Sequence, residues 1–142
     1  MSDHPNTYHP PNIEHELGGP TYHVRKKIWV TFDKHGIHCY PNAPEEVKYL
    51  RDPHRHLFKF KVGISVYHDE REIEFHMLQN EITSWYDSGV LEFNFRSCES
   101  LAGDLLTKLK TAYPDRPYYS VEVSEDGECG AELVHEYYHG VL

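Results

Sequence analysis

The sequence predicts a single α+β domain in which a sheet is covered on one face by two helices. Three observations predict it. The segment 56–67 puts Phe58, Phe60, Val62, Ile64 and Val66 on one side and Lys59, Lys61 and Ser65 on the other, the period-two signature of a half-buried strand. Two later segments repeat apolar residues at helical spacing. The elements run strand, strand, helix, helix, strand, strand (ββααββ), and one sheet backed by helices is the two-layer solution for that order.

Each element has its own signal. The first strand, 24–32, draws on Val24, Ile28, Trp29, Val30 and Phe32. Tyr40-Pro41-Asn42-Ala43-Pro44 is a loop, and a short helical turn fits 45–50. The first helix, 70–86, buries Phe75, Leu78, Ile82 and Trp85, with Ile73 and Met77 widening the stripe. The second, 98–113, has Ser97 as N-cap and Glu99 in its positive first turn, buries Leu101, Leu105, Leu109 and Ala112, and stops at Pro114. Strands at 119–123 and 130–138 flank the turn-like Ser124-Glu125-Asp126-Gly127. Ahead of this domain, 23–142, residues 1–22 read as a flexible His- and Pro-rich tail broken by Pro5, Pro10, Pro11, Gly18-Gly19 and Pro20.

The bulk chemistry narrows the function. A chain of 142 residues with 39 % hydrophobic and 26 % charged residues suits one globular domain. Its net charge of −9 argues against a nucleic-acid partner, which needs a basic face. The basic groups Arg25-Lys26-Lys27, Lys59 and Lys61 read as solvated strand faces. No run approaches the ~18 apolar residues of a membrane span, and Met1-Ser2-Asp3-His4 opens no secretory signal, so a cytoplasmic location without a membrane partner is expected. Three widely spaced cysteines, Cys39, Cys98 and Cys129, fit reduced thiols better than a disulfide framework.

Histidine, at 12 residues, is the unusual component. His54-Arg55-His56 opens a strand, where side chains two apart share a face and both rings can reach one ion. His38 lies near the end of the preceding strand and supplies a third ligand if the two strands pair. Three neutral imidazoles with an open fourth position suit catalytic Zn2+. His135-Glu136-Tyr137-Tyr138-His139 also spells HExxH, whose chemistry needs both histidines on one helical face. Here it follows a strand-like stretch, which separates the two rings by roughly 13 Å at ~3.3 Å per residue.

With these residues in place, the chain resembles the 6-pyruvoyl- and 6-carboxy-tetrahydropterin synthase family of the tunnelling (T-) fold, over roughly 23–138. Phe32 precedes His38 as a phenylalanine precedes the family's first metal histidine, and His54-Arg55-His56 stands where the family has HGH. Ile73-Glu74-Phe75 is similar to the motif of its first helix, and Arg96-Ser97-Cys98-Glu99 to the Pro-Thr-x-Glu that opens its second. Val123-Ser124-Glu125 matches the segment carrying the pterin-binding glutamate. The resemblance implies an antiparallel sheet, Zn2+ on His38, His54 and His56, and a pterin or purine-type ligand held by Glu125, Ser97 and Glu99. It also implies a homo-oligomer, trimer or hexamer, with ligand sites between subunits.

The departures fall on the catalytic groups. Leu50-Arg51-Asp52-Pro53 occupies the stretch of the family's cysteine, leaving Asp52, Glu46 or Glu45 as carboxylate bases. Cys39 adjoins a ligand but, on a strand, would face away. The family's Asp-His pair becomes Asp87-Ser88, which keeps Asp87 and loses the imidazole, with His68 or His135 as substitutes. Two readings follow. One is a zinc-dependent lyase acting on a dihydropterin triphosphate or related purine-derived substrate. The other is a non-catalytic T-fold protein that sequesters a pterin or purine nucleotide. A zinc hydrolase on HExxH ranks below both.

Overall fold

The computed structural model describes residues 24–137. The tail 1–22 and the HExxH residue His139 lie outside them. Two 12-residue strands form a long hairpin-like pair, β1 (Lys27–His38) and β2 (His54–Ser65). They are antiparallel and pair from Lys27 opposite Ser65 to His38 opposite His54. The connection includes the expected short helical turn, a 3-10 segment, Glu45–Arg51. After β2 come α1 (Phe75–Ser84), β3 (Leu91–Asn94), α2 (Cys98–Ala112), β4 (Tyr118–Glu125) and β5 (Cys129–Glu136). The sheet order is β3-β1-β2-β4-β5.

The α+β class holds, with β1, β2, β4 and β5 antiparallel and the helices against one face. The sheet is nonetheless mixed, because β3 lies parallel to β1. This strand escapes the sequence reading because it has four residues and one buried side chain, Phe93, too short a run to show a period. β1 runs on past Phe32 to His38, since β2 supplies partners along its whole length. α1 starts at Phe75 because Glu74 caps it, its carboxylate accepting the Met77 N–H at 2.8 Å. Among the described residues no helix is long and apolar enough to cross a membrane.

The inward face of β2 reads Ile64, Val62, Phe60, Phe58, all at most 1 % exposed. Leu78 and Ile82 from α1, and Leu101, Leu105 and Leu109 from α2, close over it, with Val121, Val123 and Tyr119 from β4. Phe32 and Phe60 stack with centroids 4.7 Å apart. Three details depart from the sequence pattern. Met77 is 70 % exposed, Ala102 takes the buried place expected of Ala112, and Ser65 is buried on the nominally polar side. There the Ser65 hydroxyl accepts the Tyr118 N–H at 3.3 Å, which satisfies the buried group.

Gly130 on β5 faces Ser124 across the β4 hairpin. A Cβ at this position would press on the Val123 carbonyl oxygen and sit 2.6 Å from Ser124 Cα, and backbone cannot step aside as a side chain does. Gly130→Ala is therefore expected to destabilise the fold by about 1–3 kcal/mol, a typical cost for a forced backbone shift. Urea denaturation reads this as a lower midpoint at unchanged slope, and an unaltered midpoint would contradict the close packing of β5 on β4.

Candidate metal centre

The alternation that builds the core also builds the site. Continuing outward along the same face of β2, Phe58 is followed by His56 and His54, so two imidazoles extend the row where the apolar side chains end. Register places His38 of β1 directly opposite His54. The rings meet edge to face, with centroids 4.6 Å apart for His38–His54, 4.9 Å for His54–His56 and 5.3 Å for His38–His56. Phe58 supports them from the core side, 5.0 Å from His38 and 5.7 Å from His56. His38 is 7 % exposed, although histidine seldom packs so deep without a reason.

Each ring is fixed through its Nδ1 atom. His38 Nδ1 lies 2.8 Å from the Arg96 carbonyl, His54 Nδ1 2.8 Å from the Asp52 carbonyl, and His56 Nδ1 2.7 Å from Asp126 Oδ2. Carbonyl and carboxylate oxygens only accept, so in the neutral rings Nδ1 bears the hydrogen and donates, and Nε2 is left as a bare lone pair. One ligand nitrogen from each ring lies within 4.8 Å of the others. Nε2 of His38 and of His56 is buried and has no hydrogen-bond partner. In the neutral rings, three convergent Nε2 atoms, two of them buried without a hydrogen-bond partner, fit a divalent cation of zinc type, and the three oxygens behind them are placed as the outer partners that orient metal-ligating histidines.

Asp126 is the most informative of those outer partners, and the sequence reading gives it no role. It sits in the β4–β5 turn at φ 57, followed by Gly127 at φ 74. Its backbone N–H donates to the Leu57 carbonyl at 2.8 Å, and its Oδ1 accepts the Leu57 N–H at 2.9 Å. The turn is thereby pinned to β2 beside His56. The Leu57 N–H first, and then His56, hold the Asp126 carboxyl below the usual carboxylate range. Only strand register links positions 56 and 126, so an Asp-Gly turn in the sequence gives no hint of the contact.

A cleft of about 670 Å³ opens beside the histidines, and its walls include His38, His54, Ser97, Cys98, Glu99 and Glu125. The three residues expected to bind substrate, Glu125, Ser97 and Glu99, are thus together at the metal group. Ser97 caps α2 by accepting the Ser100 N–H at 3.1 Å, and Glu99 follows in the first turn. Glu125 ends β4 on its inward side, with Oε1 3.1 Å from His38 Nε2 and Oε2 3.4 Å from His56 Nε2.

The expected bases lie elsewhere. The side chains of Asp52 and Glu46 are exposed on the segment leading into β2, and Asp52 serves His54 through its backbone. Glu45 pairs with Lys48 and Arg51. Asp87, exposed beyond α1, accepts Lys34 Nζ on its carbonyl at 3.2 Å. None of these four residues lines the cleft. Cys39 does, contrary to the expectation that it faces away. β1 ends at His38, and the Cys39 N–H turns to the Asn94 carbonyl at 2.9 Å, so strand alternation no longer governs it. The buried Cys98 thiol is pushed up to about 12 by desolvation and then by the charge of Glu125 and Glu99, and it stays protonated at neutral pH.

The described part of HExxH, residues 135–137, falls at the opposite end of the sheet. His135 lies on strand β5, its ring against Tyr119 with centroids 5.7 Å apart and its Nδ1 3.3 Å from Lys110 Nζ. Glu136 is ion-paired with Arg25. Cys129, beside Glu125, and His135 are separated along β5 by roughly 20 Å at ~3.3 Å per residue, so the two histidine groups are separate.

No family model and no curated protein matches the sequence. Solved structures do match the fold. The 6-pyruvoyl tetrahydropterin synthase of Caenorhabditis elegans superposes with a TM-score of 0.55 at 12 % identity, over 82 % of this chain and 100 % of that one. The Plasmodium vivax enzyme gives 0.56 at 11 % identity, over 81 % and 100 %. A catalytic-residue mutant of the P. vivax enzyme, glutamate replaced by cysteine, gives 0.53 at 11 % identity, over 81 % and 100 %. The chain therefore has the T-fold of these synthases.

Removing the carboxylate behind His56 tests the outer partners. Asp126→Ala is expected to weaken zinc binding by ~10–100-fold, the usual cost of losing such a partner. Competition against a chromophoric chelator measures it, with circular dichroism to verify folding. Unchanged affinity in a folded variant would show that Asp126 does not orient His56 for a metal.

Proposed function

We propose that the protein is a zinc-dependent lyase of the 6-pyruvoyl/6-carboxy-tetrahydropterin synthase type, acting on a dihydropterin triphosphate or related purine-derived substrate. The observation that carries this reading is the convergence of three Nδ1-anchored histidines, two of which, His38 and His54, line a cleft, within a T-fold. A zinc ion held by His38, His54 and His56 would supply Lewis acidity toward substrate hydroxyls.

The cleft's other residues suit a flat, nitrogen-rich ring. Tyr40 and Phe95, 50 % and 74 % exposed, line it and offer faces for stacking. Carboxylates such as Glu99 and Glu125 can accept paired N–H bonds from an amino-pyrimidine edge. The groups able to take a proton are Cys39, on the cleft wall, and Glu46 and Asp52, on the segment that borders it at Leu50. A carboxylate in this role has a parallel in the P. vivax enzyme, where the catalytic residue exchanged for cysteine is a glutamate. The sheet ends at β3 and β5, and pairing of open edges favours a homo-oligomer, trimer or hexamer.

A second reading, a non-catalytic binder of pterins or purine nucleotides, is favoured by one observation. The side chains of Asp52, Glu46 and Asp87 all lie outside the cleft wall. Incubating zinc-loaded protein with a dihydropterin triphosphate, followed by mass spectrometry and phosphate analysis, separates the two. The lyase reading expects triphosphate release that chelation abolishes and that His54→Ala/His56→Ala lowers at least ~100-fold, as loss of metal chemistry should. Metal-dependent binding with recovery of unchanged pterin would establish the binder, and neither binding nor turnover would overturn both.

A further inference from the structure

We infer that Glu125 is a fourth protein ligand of the metal, so that the ligand-free centre is a closed three-histidine, one-carboxylate site. This rests on the metal reading of His38, His54 and His56 and goes beyond it. Strand parity fixes the position. Tyr119, Val121 and Val123 of β4 point inward, Glu125 continues that row, and register sets it beside Phe58, next along β2 from His56.

The electrostatics of the contact then call for a cation. Oε1 is 3.1 Å from His38 Nε2 and Oε2 is 3.4 Å from His56 Nε2. In the neutral rings both nitrogens are without a hydrogen, because Nδ1 of each ring donates to an oxygen that cannot donate in return. Neither makes a hydrogen bond at these distances. Lone pairs from two nitrogens and a carboxylate facing one another repel, and a positive ion among them turns the repulsion into coordination. The Glu125 side chain keeps 26 % of its exposure, and each of its two oxygens faces one of these histidines. Glu125 lines the cleft, and its oxygens there lie against the imidazoles. A ligand entering the cleft has to displace Glu125 to reach the metal.

Full-length protein loaded with cobalt(II) or zinc tests this in wild type, Glu125→Gln, Glu125→Ala and His54→Ala/His56→Ala, each verified as folded by circular dichroism. The near-isosteric Glu125→Gln keeps the shape of the site while removing the charge. The expected result is one metal per wild-type chain, zinc affinity at least ~10-fold weaker in both Glu125 variants, beyond the lower bound for a lost outer partner, and a shifted and weakened cobalt visible spectrum. Wild-type affinity and an unchanged cobalt spectrum in folded Glu125 variants would overturn the inference and leave the three-histidine centre standing. Failure of the wild type to bind metal, or retention of metal by the double histidine variant, would overturn the metal reading and this inference together.

Discussion

The antiparallel register of β1 on β2 is the constraint on which the rest depends. It sets Phe32 opposite Phe60 in the core and His38 opposite His54 at the strand ends. Side chains alternate with period two, so a slip of one residue would turn Phe58, Phe60, Val62 and Ile64 to solvent and carry His54 and His56 away with them. The energetic demand for a dry core and the geometric demand for convergent imidazoles are met by the same pairing. Burial of four fully enclosed side chains on β2 thus holds the metal group in register without any bond to a metal.

Fixing the rings takes more than register. An imidazole on a strand end still rotates, and the three Nδ1 contacts remove that freedom. Each comes from a different neighbourhood: the turn before α2 through Arg96, the end of the 3-10 segment through Asp52, and the β4–β5 turn through Asp126. The strand β3 has a part in the first of these. It ends at Asn94, whose carbonyl takes the Cys39 N–H and draws the chain before α2 toward the end of β1. An element of four residues thereby shapes both the Arg96 contact and the turn that puts Cys39 in the cleft.

Much of this was legible in the sequence because it is periodic. The inward row of β2, the Leu101-Leu105-Leu109 stripe of α2 and the spacing of His54 and His56 are all repeats at two or at three to four residues, and each survives in the structure. What was illegible is what periodicity does not encode. Asp126 meets His56 through a turn that only the sheet brings near. Cys39 leaves the strand pattern because the strand stops one residue before it. β3 is shorter than the window in which alternation can be counted. The resemblance singled out Glu125, Ser97 and Glu99, which share one cleft, but only coordinates show the Glu125 carboxylate turned to the histidines.

The central claim is that the protein presents three bare Nε2 atoms to one ion before the ion arrives. Long-range nitrogen–proton NMR of the histidine rings, on metal-free protein near neutral pH, tests this directly. The account predicts that His38, His54 and His56 are all Nδ1–H tautomers, and that one equivalent of zinc shifts their three Nε2 resonances while leaving His135 unmoved. Nε2–H tautomers at any of the three, or a zinc response centred on His135, would contradict it.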